Sequence, residues 1–386
     1  MNSLGAGLDA TVSALRQRRT GLRPCAFETV TLTTHVGEVA GLDQVRLPAA
    51  LAEYDCRNNR LALLAMEQDG FVQAAAEARE RYGASRIGVF LGTSTSGILQ
   101  TELAYRRRDV RTGALPPDFH YAGTQNTFSV ADFAQRYLRL EGPAVVVSSA
   151  CATSAKVFGN AARMIAAGLC DAAIVGGADS LCLTTLYGFH SLGLVSSLPC
   201  RPFDAERDGI SIGEAAGFAL LEKPTKRDGE AAVALLGVGE SCDAYHMSTP
   251  HPEGLGARLA MERALAAAGL AAKDIDYINL HGTATKSNDA AEDRAVSDLF
   301  GVHTPCSSTK GWTGHTLGAA GITEAIISTL SILHDLMPGS LHTRNVDPAL
   351  KSGYLIENTA ARLDRVMSNS FGFGGTNCSL ILGRAA

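Results

Sequence analysis

A cysteine, two histidines and a lysine, each set among small residues, carry the clearest chemical potential in this chain. Cys151 stands in Ser149-Ala-Cys-Ala-Thr-Ser-Ala155. Before it lies an apolar, β-branched run at 144–147, and after it a helical stripe of Val157, Ala161, Met164 and Ile165. The order predicts a buried strand, a tight corner and a helix that Thr153 and Ser154 can cap. A thiol at a helix start feels the positive end of the macrodipole, which favours thiolate. The corner also aims backbone N–H groups at whatever the sulfur attacks, the layout of a nucleophile elbow built with Cys. Most buried cysteines only pack. The corner, its small neighbours and two distant His motifs favour chemistry at this one.

His281 follows the apolar run 275–280 and opens the loop His281-Gly-Thr-Ala-Thr285. Lys310-Gly-Trp-Thr-Gly leads into His315 and an Ala/Gly-rich helical pattern. Strand ends and helix starts are where open α/β sheets place ligands. The other eight histidines, among them His35, His120 and His334, read as ordinary polar residues. Cysteine with histidine admits three chemistries. The local signatures of papain-like and caspase proteases are absent. Widely spaced histidines with a lone Cys lack ligand-pair spacing, so no metal is expected. Acyl transfer through a thioester remains, with Cys151 as nucleophile and both imidazoles donating to a developing enolate oxygen.

The chain must build strands and helices to bring these residues together. Its 386 residues, 46% hydrophobic and 19% charged, suffice for one large or two fused α/β units. A net charge of −5 leaves no footprint for nucleic acid or a polybasic membrane surface. The nine scattered cysteines form no C-x-x-C pair, which argues against a zinc site or a disulfide framework and for a reducing cytoplasm. No signal peptide is recognisable, and no apolar run is long enough to insert in a membrane.

In chain order the patterns predict helices over 8–19, 58–81 and 126–139, and strands over 29–33, 86–91, 171–177 and 213–222. A charged, turn-rich hinge at 224–230 separates the halves 1–225 and 226–386. Strands at 233–239 and 275–280 alternate with helices at 256–268 and 290–300, a further helix runs to Leu333, and strands at 365–370 and 378–382 close the chain. The loop Gly92-Thr-Ser-Thr-Ser-Gly97 has the composition to line a pocket or cradle a phosphate, although it matches neither G-x-G-x-x-G nor a P-loop. Ser148-Ser149 before Cys151 echoes Ser307-Ser308 before Lys310 and His315, which suggests a duplicated α/β unit whose loops converge on one site.

These motifs, with Arg207-Asp-Gly209, Asp243-Ala-Tyr-His-Met247, Thr313-Gly-His-Thr-Leu-Gly-Ala-Ala-Gly321 and Asn369-Ser-Phe-Gly-Phe-Gly-Gly-Thr-Asn377, span nearly the whole chain. In this order the chain resembles the β-ketoacyl-acyl-carrier-protein synthases, the elongating condensing enzymes of fatty acid and type II polyketide synthesis. The resemblance implies the thiolase-like α/β fold, with two similar halves in five αβαβα layers. It implies decarboxylative condensation of an acyl group on Cys151 with a malonyl group on acyl carrier protein. Backbone N–H groups of Cys151 and Phe373 would form an oxyanion hole, and Phe373 would gate the cysteine. His281 and His315 would hold the enolate, and Lys310 would be a buried charge paired with Glu292. Glu324 would support a water or ion network. Thr283 and Thr285 would bind the phosphopantetheine arm, so no separate cofactor is implied. Thr95 and Phe189 would line the acyl pocket, residues 126–133 would meet a partner subunit, and Arg60, with Arg106–Arg108 second, would dock the carrier.

The chain departs from that family by lacking a strand before Leu4, so either the first sheet lacks one edge or core strand or the start lies downstream of the true one. The loop before Arg201-Pro-Phe-Asp204 is also short, and few positive charges line the start of the 58–81 helix. These departures suggest a specialised branch such as aryl-polyene synthesis, as a homodimer or as a heterodimer with a chain-length-factor-like subunit. A thiolase would need a second catalytic cysteine, for which Cys378 is the only late candidate. A catalytically silent partner subunit would lack the nucleophile, and an initiating synthase would carry Cys-His-Asn instead of a second histidine.

Overall fold

A computed structural model describes residues 1–224 and 233–385. Beyond Pro224, the expected hinge and the boundary at 225/226 lie outside the described residues. The N-terminal sheet contains β1 (Ile87–Gly92), β2 (Ala144–Val147), β3 (Ala172–Asp179) and β4 (Ala215–Glu222), in the order β2-β1-β3-β4. Its first three strands are parallel, and β4 is antiparallel to β3. The helix α1 (Thr153–Ala166) connects β2 to β3. The C-terminal sheet contains β5 (Val233–Cys242), β6 (Tyr277–Asn279), β7 (Pro305–Ser307), β8 (Gly353–Tyr354), β9 (Arg365–Gly372) and β10 (Thr376–Arg384), in the order β8-β7-β6-β9-β10-β5. Here too a parallel core, β8-β7-β6-β9, ends in antiparallel strands. The helix α2 (Ala320–His334) is the counterpart of α1.

Strand side chains alternate between faces, and three cores follow from that period. Val89, Leu91 and Ile174 face outward onto the helices Arg57–Met66 and Ser129–Leu138. Phe90, Ala173 and Val175 face the molecular centre, where they meet Val157 and Phe158 of α1, Ile322 and Ala325 of α2, and Val366, Leu380 and Leu382 of the other sheet. On the far side Met367 and Ile381 pack on the helices Leu255–Ala268 and Lys286–Phe300. The layers are therefore helix, sheet, central helices, sheet, helix, the thiolase-like α/β fold. Each fully buried Val, Leu or Ile in these cores contributes about 2 kcal/mol.

The two sheets differ beside their antiparallel strands. In the C-terminal half the whole of β5 pairs with β10. In the N-terminal half, among the described residues, only the chain start lies beside the outer edge of β4, where the Met1 amino group donates to the Ala216 carbonyl at 2.9 Å and Asn2 bridges Ala215. Several expected elements shift. The helix expected over 58–81 divides into Arg57–Met66 and Phe71–Tyr82, because Asp69 (φ 53°) and Gly70 (φ 72°) turn left-handed between them. Residues 29–33 form no strand; short strands stand instead at Arg23–Pro24 and His35–Gly37. One stretch, Leu317–His334, is long and apolar enough to cross a membrane, and 78% of it is buried within the fold, where α2 fills the central layer.

Candidate active site

Cys151 sits at the corner between β2 and α1, 6% exposed. Ala150 takes φ 49°, a left-handed bend unusual for a residue with a side chain, and so turns the next residue inward. Thr153 braces the corner, accepting the Ser149 N–H at 2.8 Å and donating to the Ala150 carbonyl at 2.5 Å. The expected capping by Thr153 and Ser154 is not what the structure shows. The helix starts after Ala152 with no side-chain cap, and the Ser154 hydroxyl accepts Ile322 N–H of α2 at 2.9 Å. That bond ties the two central helices together directly behind the cysteine.

The C-terminal half delivers the histidines. His281 lies past the end of β6, and His315 lies in the loop that leads to α2. Both are buried, their rings edge to face with centroids 5.3 Å apart, and His315 Nε2 is 3.0 Å from Cys151 Sγ. The partners of the other ring nitrogens set the tautomers. Leu317 N–H donates to His315 Nδ1 at 3.3 Å, and the Lys310 ammonium lies 3.3 Å from His281 Nδ1. Both Nδ1 atoms thus accept, and both Nε2 atoms carry the proton. Burial and the nearby Lys310 charge hold both imidazoles neutral, well below the usual histidine range.

Lys310 corrects one expectation. Its ammonium pairs with Glu324, and it also donates to the His281 carbonyl at 2.5 Å. Glu292, the expected partner, is turned to the backbone instead, accepting His281 N–H at 2.8 Å and Gly282 N–H at 2.7 Å. Asn369, which the sequence reading left without a role, adds a bond to Glu292 at 3.3 Å. Burial raises both carboxyls to about 7. One Glu324 oxygen has no partner among the described residues, which leaves it an acceptor beside the site.

The sulfur corrects another. Burial pushes the Cys151 thiol up to about 12, while Lys310 and the Phe373 N–H pull it the other way. Desolvation therefore outweighs the activation expected at a helix start. The sulfur accepts N–H groups from His315 and Phe373, donors that stabilise negative charge as it forms.

Thiol and ring nitrogens lie within 4.8 Å of one another, close enough to suggest metal ligands despite their wide spacing in sequence. The donor set argues otherwise. Each Nε2 carries a proton fixed by the partner at Nδ1, and the Lys310 charge stands behind them.

The cavity at Cys151 has a volume of about 60 Å³ and is walled by Phe189, Phe371, Phe373, both histidines and Thr283. Phe373 packs against Phe189 with ring centroids 5.5 Å apart and planes tilted by 47°. Gly374 (φ 78°) and Gly375 (φ 72°) follow it in left-handed backbone, which closes the loop tightly. A Cβ on Gly372 would stand 3.1 Å from Cys151 N, so the strand end packs directly over the corner. Thr283 and Thr285 share a hydrogen bond at 2.8 Å in the outer wall. Leu194 and Thr285 also border a wider surface cleft of about 580 Å³ that holds Lys286.

Two expected residues fall elsewhere. Thr95 is fully buried and absent from the cavity wall, its hydroxyl donating to Asp179 at 3.0 Å. Arg60 is neutralised by a two-pronged pair with Asp55 at 2.5 and 2.7 Å, so it offers little free charge to a carrier. Arg107 is likewise paired with Asp118 at 2.9 Å, whereas Arg108 donates to its own helix at Tyr105. Of residues 126–133, Val130, Ala131 and Phe133 pack inward, leaving Phe128 as the exposed large apolar side chain.

A thiol at a strand-to-helix corner, facing two N–H-bearing imidazoles and a buried lysine, defines a condensing acyltransferase site. Residues 58–227 match the beta-ketoacyl synthase N-terminal domain and residues 232–344 its C-terminal domain. The chain is 33% identical to 3-oxoacyl-[acyl-carrier-protein] synthase 2 of Vibrio cholerae, over 88% of each chain. It is 43% identical to the mitochondrial 3-oxoacyl-[acyl-carrier-protein] synthase of Arabidopsis thaliana, over 62% of this chain and 56% of that one. Among solved structures it superposes with TM-score 0.89 on a ketosynthase in complex with its chain length factor from Xenorhabdus doucetiae, at 40% identity over 100% of this chain and 96% of that one. The chain belongs to the β-ketoacyl synthase family and is a condensing enzyme that forms 3-oxoacyl-carrier products.

Proposed function

We propose that Cys151 takes an acyl group from an acyl carrier protein and that His281 and His315 drive its condensation with a malonyl-carrier. The sulfur attacks the acyl thioester carbon, the bond to the pantetheine sulfur breaks, and the thiol proton goes to the departing thiolate. The Cys151 and Phe373 N–H groups hold the oxyanion during this transfer. The malonyl thioester then places its carbonyl oxygen between the two Nε2–H donors. Carbon dioxide leaves, its bonding electrons become the enolate, and the α-carbon attacks the acyl-cysteine. The new C–C bond displaces Cys151 thiolate, which takes a proton from solvent. Thr283 and Thr285 bind the pantetheine arm, Phe189 borders the acyl chain, and Phe373 gates it. The substrates arrive on the carrier's own prosthetic group, so the enzyme needs neither a further cofactor nor a metal, and it works in the cytoplasm. The halves 1–225 and 226–386 supply the nucleophile and the enolate donors respectively. The observation that carries this reading is the fixed tautomer of both histidines, because donors suit an enolate and a base would not.

The enzyme serves a specialised branch of the aryl-polyene type, paired with a chain-length-factor-like subunit. Its likeness to a ketosynthase solved with such a factor supports this, as does the outer strand β2, whose Val145 is 38% exposed at an unpaired sheet edge. Elongation of saturated chains by a homodimer is the second reading, supported by the match to the Vibrio cholerae synthase. Purified protein, alone and mixed with a candidate chain-length subunit, separates the two when assayed on polyenoyl- and saturated acyl-carriers. Full activity alone on saturated chains, with none on polyenoyl chains, would reject the branch assignment.

A further inference from the structure

The small-residue loop 93–97 has no part in the reaction above, yet its backbone does cradle an anion. That anion is internal: the fully buried carboxylate of Asp179, the last residue of β3. One oxygen accepts the N–H groups of Ser94 (2.7 Å) and Thr95 (2.9 Å) and the hydroxyls of Thr93 (2.8 Å) and Thr95 (3.0 Å). The other accepts the Ser94 hydroxyl and the N–H of Gly318 at 2.6 Å. Every one of these neighbours donates. The loop thus has no free N–H cradle at Ser94 and Thr95 for a phosphate, and the carboxylate joins it to the segment that carries His315.

The bond to Gly318 reaches the active site in two steps. Leu317 holds φ 53°, a strained left-handed conformation for a side chain of its size that needs support from its surroundings. In that conformation its N–H points at His315 Nδ1. Asp179 holds the next N–H along, and a Cβ on Gly318 would come within 2.7 Å of its carboxylate oxygen, so only glycine permits the approach.

We propose that Asp179 is a positioning residue for His315. By holding Gly318 N–H it keeps the left-handed turn at Leu317, which fixes Nδ1 of His315 as acceptor and Nε2 as the N–H donor facing Cys151. Its activity test rests on the decarboxylative reading; its spectroscopic test does not.

Asp179→Asn sets an amide N–H₂ among groups that all donate, which loosens the turn. Nitrogen NMR of ¹⁵N-histidine-labelled wild type should show His315 as a single neutral Nε2–H tautomer. In the variant the tautomers should mix, and release of CO₂ from malonyl-carrier should fall about tenfold or more. The loss should disappear, to within about twofold, in a His315→Ala background, as expected for residues acting as one unit. Ser94→Ala, which removes one donor to the oxygen that holds Gly318, should show a smaller loss with the same dependence on His315, and it serves if Asp179→Asn fails to fold. An Nδ1–H tautomer in the wild type overturns the proposal. So does a decarboxylation loss that persists undiminished without His315, or a rate that neither variant changes. If wild type releases no CO₂ from malonyl-carrier, the functional reading fails, while the tautomer measurements still decide the positioning role.

Discussion

Cys151 works against its own burial. Desolvation holds the thiol protonated, and the N–H donors from His315 and Phe373 lower the energy of negative charge only where it forms, at the sulfur. The same burial keeps the histidines neutral, and this has a pH consequence. Their protonation lies well below the ordinary histidine value, so the donors stay neutral from pH 8 to about 6.5. The imidazoles should therefore add no titration step over that range and should lower the rate only at more acid pH, so a step near pH 7 in a profile of CO₂ release belongs to the Glu292 and Glu324 carboxyls. Removing either donor by His281→Ala or His315→Ala should slow decarboxylation by about 10²–10³-fold. Acylation of Cys151, followed by protein mass, should persist in the His281 variant. The Lys310–Glu324 pair makes a separate prediction. Glu324→Gln strands a buried ammonium, at a cost of about 3–5 kcal/mol in urea denaturation. The four side chains that the structure brings together were legible because their motifs are local and distinctive. The partner of Lys310 was not, since two buried carboxyls stand near it and only the packing of α2 against the loop decides between them. Thr95 shows the opposite limit: its local sequence reads as a pocket loop, while its hydroxyl answers to a carboxylate 84 residues away.

Among the elements, the central helices carry the tightest constraint. A Cβ on Gly321 would stand 2.4 Å from the backbone nitrogen of Ala155, so Gly321→Ala must push α2 away from α1. That overpacking should cost about 1–3 kcal/mol or more and displace Cys151 from His315, because each helix start holds one of them. Gly188 is the contrasting case. It lies inside the helix Leu183–Ser191, and an added Cβ would meet nothing within 4 Å. Gly188→Ala should stabilise by about 0.5–1 kcal/mol, and equilibrium denaturation of the two variants side by side reads both signs. Strands such as β1 and β3 were legible as continuous apolar runs, as fully buried parallel strands must be. The break at Asp69 and Gly70 was not, because the apolar period continues across it and only the left-handed backbone reveals the turn. The docking helix was read for its arginines, but the Asp55 that neutralises Arg60 lies just outside it.

At the scale of the molecule, two similar halves meet through α1 and α2 and each contributes one kind of chemistry. The faint echo between the serine pairs at 148–149 and 307–308 marks that duplication, and the structure places a central helix after each pair. The proposed pairing of subunits would use the outer strand β2, a sheet edge that sequence patterning does not report. Val145→Arg puts a charge on the outer strand β2 and should shift the protein toward monomer in analytical ultracentrifugation, alone or mixed with a candidate chain-length subunit. The central claim is that one buried cysteine receives the acyl group while two histidines release CO₂. Intact-protein mass spectrometry with acyl-carrier, followed by malonyl-carrier and a CO₂ measurement, tests it in one sequence. The account predicts a single acyl adduct mapped to Cys151 that vanishes, with CO₂ evolved, as 3-oxoacyl-carrier appears. An adduct on another residue, or condensation that survives Cys151→Ala, would contradict it.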